Sequence, residues 1–96
     1  MIILLLGLNG GLARFNLETG QLAWLLDIEN ELTDHRCNDG GCDCRGRLWI
    51  GTMHRKFNTG AGSLYCVDED LLLQKKREQV TISNGVAWSP DNDRMY

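Results

Sequence analysis

The chain has 96 residues, 43% of them hydrophobic and 24% charged, with a formal net charge of −3. That length suits one small domain with a thin core. The acid-leaning balance argues against a basic nucleic-acid or membrane-surface binder, and no apolar run approaches the roughly 20 residues of a spanning helix.

The first element is the apolar run Ile2 to Leu6. It has no positive n-region and stops at Gly7, short of the roughly 7–15 residues of a signal peptide's apolar core. It is predicted to be a buried strand, with a cytoplasmic setting and reduced cysteines. Turn signals then punctuate the chain at Asn9-Gly10-Gly11, Glu18-Thr19-Gly20, Asn38-Asp39-Gly40-Gly41, Arg45-Gly46, Asn58-Thr59-Gly60 and Ser89-Pro90-Asp91-Asn92. Between them lie the runs "GLARFN", "QLAWLLDI", "GRLWIGTM", "GSLYCVD" and "GVAWS", each of strand length. "DEDLLLQKKREQV" is ambiguous. Its acids precede its bases, as a helix dipole favours, but its apolar residues bunch at Leu71 to Leu73 instead of recurring at helical spacing.

A repeat resolves that segment as strand. "DGGCDCRGRLW" (Asp39 to Trp49) matches "NGVAWSPDNDRMY" (Asn84 to Tyr96), with an offset of 45 at the glycine and 47 at the aromatic residue, which implies a second turn two residues longer. "GLARFN" (Gly11 to Asn16) matches "SLYCVD" (Ser63 to Asp68) at an offset of 52. A period of roughly 40–50 residues with four short strands marks a β-propeller blade. The predicted fold is therefore all-β: antiparallel four-stranded propeller blades, with Trp49, Trp88 and Tyr96 packed between sheets. At this period residues 1–96 make about two blades, whereas a closed propeller needs at least about four. The chain is expected to be a partial propeller, truncated at both ends.

Most chemical motifs are absent. The cysteines at 37, 42, 44 and 66 do not form two zinc knuckles, and a reducing setting disfavours disulfides. They read as small strand residues, and His35 and His54 as surface filler. There is no nucleophile elbow, phosphate-binding glycine loop or EF-hand loop. The polar content of the two Asx-Gly openings remains. Alternation along a strand places Arg36 and Asn38 on one face, with Cys37 on the other, and Asn84 takes nearly the same place in the next repeat. These groups either hold a polyhydroxylated ligand and a hard cation or merely shape turns. Both readings stand on spacing alone.

"RCNDGGCDCRGRLWIGTM", "GSLYCVD" and "ISNGVAWSPDNDRMY", in that order, closely resemble the gluconolactonase/regucalcin (senescence-marker-protein) family. "GLARFNLETGQL" resembles the segment that precedes the Arg-x-Asn-Asp-Gly motif there. The resemblance implies a six-bladed propeller with one divalent cation in its channel: calcium first, with zinc, magnesium, manganese or iron as alternatives. It implies hydrolysis of a sugar lactone to the aldonic acid, and the acid-leaning charge balance leaves no nucleic-acid or membrane partner expected. Asn84 matches a metal ligand, Arg36 and Asn38 match substrate-binding residues, and Asp39 matches a residue that shapes the turn. No catalytic residue is assigned within the chain.

The chain departs from the family pattern in three places. It has no Gly-Glu-Gly-Pro-like segment, and the Pro-Asp-Gly-like segment would lie beyond Tyr96. His54-Arg55-Lys56 stands where some relatives carry a substrate-binding glutamate. The fragment by itself is therefore expected to be inactive. The alternatives are a non-catalytic calcium-binding propeller and a propeller repeat that serves as a protein-interaction scaffold.

Overall fold

A computed structural model describes residues 2–96. Seven strands follow in chain order: β1 (Ile3–Leu8), β2 (Gly11–Asn16), β3 (Leu22–Asp27), β4 (His35–Cys42), β5 (Leu48–His54), β6 (Gly62–Val67) and β7 (Leu73–Val80). They form two antiparallel sheets, β1-β2-β3 and β4-β5-β6-β7. Beyond β7 a further hairpin opens, with Trp88 bridged to Met95 and paired backbone bonds of 3.2 and 2.8 Å between Ala87 and Tyr96. There is no helix among the described residues, so none long and apolar enough to cross a membrane.

Short polar side chains make the turns. Asn16 Oδ1 accepts from the amides of Glu18 and Thr19, Asp43 Oδ1 from those of Arg45 and Arg47, and Asp68 Oδ1 from those of Asp70 and Leu72. Ser89 Oγ does the same for Asp93 and Arg94. Each side chain replaces a backbone acceptor and reverses the chain, which ends β2, β4 and β6 after six to eight residues.

The repeats recur in space. β2 and β6, the strands carrying the second sequence match, each lie between the strand before and the strand after. The second sheet is a complete four-stranded blade, and the first holds three strands of the same meander. In the ambiguous segment 68–80, Leu73–Val80 is strand: β7 is an outer edge whose Lys75, Lys76, Arg77 and Glu78 are exposed. Charge on an edge strand blocks pairing with other chains.

The core lies between the sheets, where Leu12 and Ile28 meet Cys37, Ile50, Tyr65 and Val67. β1 approaches β4 at Gly7, where a Cβ would stand 3.1 Å from Cys37 Cβ and 2.6 Å from the Cδ1 methyl of Ile50 in β5, so a larger residue there would require those side chains to shift.

Three expectations need correction. β1 is a strand but not a buried one: Ile3, Leu4 and Leu5 are 40–51% exposed, because β1 is a sheet edge with β2 as its one strand partner among the described residues. Tyr96 is 70% exposed, since its hairpin has no further strand against it among the described residues, whereas Trp49 and Trp88 are half-buried and Trp88 lies against Gly41. The second repeat's turn is longer by one residue, not two. Backbone closure runs from Asp43 to Arg47 in one hairpin and from Ser89 to Arg94 in the other, so the second extra residue falls between Gly85 and Trp88.

Candidate functional site

The strand that carries Arg36 and Asn38 breaks its own alternation. Cys37 pairs with Thr52 and Gly40 with Ile50, so Asn38 and Asp39 together oppose Gly51. This is a β-bulge, a device that bends a strand and re-aims its side chains. Both bulge residues reach the next repeat. Asn38 Nδ2 donates to the Ser83 carbonyl at 2.8 Å. Asp39 Oδ2 accepts from the Gly85 amide at 2.7 Å, and its Oδ1 from the Gly40 amide at 2.9 Å. The second Asx-Gly pair is thus docked onto the first. Gly85 takes φ 62°, a conformation that favours glycine.

Asn84 sits at this junction with its side chain exposed. Its Oδ1 accepts only from the adjacent Gly85 amide, at 3.1 Å, and shares that donor with Asp39. An exposed amide oxygen beside a carboxylate suits a hard cation as one ligand among several. Among the described residues no group of three or more His, Cys, Asp or Glu side chains converges to complete such a site. Arg36 is exposed, directly opposite Met53, and has no carboxylate within ion-pair distance among the described residues. The chain brings Asn38, Asp39 and Asn84 together through direct contacts. Arg36 lies two residues up the strand from Asn38 and makes no hydrogen bond or ion pair with them among the described residues.

Gly51 makes the docking possible. A Cβ there would run into Ser83 Cβ and Oγ. Gly51→Ala is expected to push residues 83–85 off the bulge and to cost about 1–3 kcal/mol, the usual range for overpacking. Thermal unfolding of the variant checks this.

A second polar cluster lies on the opposite face of β4. The Glu29 carboxylate accepts from His35 Nδ1 at 2.9 Å, Thr52 Oγ1 at 3.0 Å and Tyr65 OH at 2.6 Å. Its side chain is 8% exposed. Burial, and then the hydrogen bond to Glu29, hold the Tyr65 phenol protonated well above its ordinary range. Burial, reinforced by the negative charge of Glu29, pushes the Cys37 thiol up to about 11. That cysteine is inert filler, as its sequence context suggested. His35 is not surface filler: it is half-buried and bonded to Glu29. Its ring meets that of His54 edge-on, with centres 5.4 Å apart. His54 Nδ1 accepts the Lys56 amide at 3.0 Å. Nothing in the sequence flagged Glu29, because its partners are 6, 23 and 36 residues away.

Asp43 ties down the β4–β5 turn. Its Oδ2 accepts from Arg47 Nε at 2.7 Å and Trp49 Nε1 at 2.9 Å, beside the two amides on Oδ1. Desolvation raises the acid's pKa, but the bonds from Trp49 and from the amides and guanidinium of the turn outweigh it and hold the carboxyl at about 2. The folded value lies below the unfolded one of about 3.9, so the stabilisation is complete above roughly pH 4 and is lost as pH falls toward about 2. It amounts to about 2 kcal/mol. In acid-unfolding curves Asp43→Asn is expected to flatten the loss between about pH 4 and 2 and to lower stability at neutral pH.

A complete antiparallel blade, part of another, and an Asx-Gly junction between successive repeats define a repeat-built β-propeller whose polar groups sit where the repeats meet. The chain belongs to the SMP-30/gluconolactonase/LRE-like family, whose model matches residues 3–96. It is 33% identical over 97 aligned positions to an L-arabinolactonase of Azospirillum brasilense, covering 98% of this chain and 32% of that one. It is 35% identical over 86 positions to regucalcin of Oryctolagus cuniculus, covering 84% and 29%. The crystal structure of a calcium-binding regucalcin from Agrobacterium tumefaciens superposes with a TM-score of 0.86 at 38% identity, covering 94% of this chain and 30% of that one. The chain spans about a third of the length of the curated relatives it matches, 28% to 32% in those of Sulfolobus acidocaldarius and Bacillus subtilis.

Proposed function

We propose that the chain is about two blades of a sugar lactone hydrolase, with Arg36 and Asn38 facing the substrate and Asn84 supplying one oxygen to a divalent cation. The observation that carries this reading is the docking of Asn38 and Asp39 onto residues 83–85, which sets the two polar openings side by side in a chain of the lactonase family. A relative named L-arabinolactonase, and one described as calcium-binding, support the substrate class and the cation.

Each residue has a distinct task in this reading. Arg36 offers only donors, so it grips ring or hydroxyl oxygens of the sugar and orients the ester. Asn38 spends one amide hydrogen on Ser83, which leaves its carbonyl oxygen and second hydrogen for the sugar. Asp39 holds the Gly85 amide and so fixes the backbone beside Asn84. A bound divalent cation supplies Lewis-acid polarisation of the lactone carbonyl. In this reading residues 2–96 supply one oxygen ligand and the substrate-facing groups, and no group of three or more His, Cys, Asp or Glu side chains among the described residues completes a cation site.

The test is a pH-stat assay of the full-length protein on L-arabinono- and D-glucono-lactones, before and after chelation. Hydrolysis lost on chelation and restored by calcium upholds the proposal. Calcium binding without turnover of either lactone instead favours the non-catalytic calcium-binding reading, for which the regucalcin similarity is the supporting observation.

A further inference from the structure

The corner where β4 begins and β5 ends carries more positive charge than a neutral sugar requires. His35 pairs with His54, Arg36 with Met53, and the Arg55 amide donates to the Asp34 carbonyl at 2.8 Å, which extends the ladder by one step. Directly opposed residues share a face. Arg36 and Met53 are therefore on one face, His35, His54, Cys37 and Thr52 on the other, and the extended register returns Arg55 to the Arg36 face. In this register Arg36 and Arg55 are diagonal neighbours, roughly 7–8 Å apart at their backbones. This is also the face on which Gly51 meets Ser83, so it looks onto the segment bearing Asn84.

Neither guanidinium is neutralised. Arg36 and Arg55 are exposed, and among the described residues no carboxylate lies within ion-pair distance of either, although Asp34 is opposite Arg55 in register. Glu29 and Asp43, whose side chains are 8% and 5% exposed, are engaged elsewhere: Glu29 by His35, Thr52 and Tyr65 on the far face, and Asp43 by Arg47, Trp49 and the amides of its own turn. Arg77, again with no carboxylate within ion-pair distance among the described residues, lines a cavity of about 350 Å³ together with Ser83 and Asn84. Three unpaired arginines thus border the junction of the two repeats. Asp39, the junction carboxylate, is held by the Gly40 and Gly85 amides and forms no ion pair with them, so enclosing a neutral sugar would strip water from charges that the sugar does not pair. A planar guanidinium fork matches a carboxylate in two parallel hydrogen bonds.

We infer that the substrate is an acidic sugar lactone, one that keeps a free carboxylate when its ring is closed, with Arg55 gripping that carboxylate beside Arg36. This inference rests on the lactonase reading and adds the substrate class to it. Arg55 is a specificity residue: it touches the end of the substrate that does not react.

The test compares kcat/KM of the full-length protein for D-glucaro-1,4-lactone and D-glucono-1,5-lactone. It is paired with calorimetric titration of the ring-opened D-glucarate and D-gluconate. The acidic lactone is expected to be favoured about tenfold, and Arg55→Glu to reduce the ratio at least about tenfold, the scale of one charge-assisted contact. Arg55 is exposed, so the substitution leaves the core untouched. Preference for the neutral lactone, or a ratio that Arg55→Glu does not move, overturns the inference. If neither lactone is hydrolysed, the lactonase reading fails by itself. The titrations then decide: glucarate bound more tightly than gluconate, with the difference lost in Arg55→Glu, upholds the carboxylate site, and equal binding overturns it.

Discussion

Glu29→Ala is expected to lower the unfolding free energy of the protein by about 3 kcal/mol or more. The carboxylate is almost enclosed and takes three hydrogen bonds from three parts of the chain: the first residue of β4, the middle of β5 and the middle of β6. Its deletion strands the Tyr65 hydroxyl and His35 Nδ1 away from water, and each orphaned buried polar group costs about 1–3 kcal/mol. Thr52 loses less, because its hydroxyl has the Ser63 carbonyl at 3.3 Å as a second acceptor. Glu29 also holds φ at 52°, in the left-handed region that its side-chain bonds help to maintain. Glu29→Gln keeps one acceptor oxygen but turns an amide toward donors, so it should lie between wild type and alanine. Denaturant unfolding of the three proteins orders them, and a Glu29→Ala midpoint equal to wild type would show that the cluster contributes nothing.

Asn84→Ala and Arg36→Ala are expected to fail in different ways. Loss of the Asn84 amide removes one oxygen from a cation that takes about six to eight, and should weaken calcium binding on the order of tenfold to a hundredfold. Arg36 has no acceptor atom and cannot be a ligand. Its alanine variant should keep the cation while kcat/KM for the lactone falls roughly tenfold to a hundredfold, the worth of a lost charged hydrogen bond. Calcium titration calorimetry and the pH-stat assay, run on both variants of the full-length protein, separate the two effects. Calcium binding by Asn84→Ala that matches wild type would falsify the ligand assignment and favour the interaction-scaffold alternative.

Local chemistry can be read from the residues alone. Asx and serine turns at Asn16, Asp43, Asp68 and Ser89 are contacts within five residues, so the strand breaks and the all-β class are legible without coordinates. The repeat between Asp39–Trp49 and Asn84–Tyr96 announced both the propeller period and the two polar openings, because equivalent blades reuse equivalent turns. β7 was recoverable only through that repeat, since its charges and bunched leucines fit a helix end as well as an edge strand.

Which side chains meet depends on how the strands pack. Strand alternation places Asn38 correctly until the bulge opposite Gly51, a defect of register that no single strand encodes. β1 has the apolar content of a buried strand, yet whether it is covered depends on its neighbours and not on its composition. Glu29 is invisible in sequence for the same reason. A lone glutamate reads as surface until folding brings His35, Thr52 and Tyr65 to it from three different strands, and their hydrogen bonds then offset the cost of burying its charge.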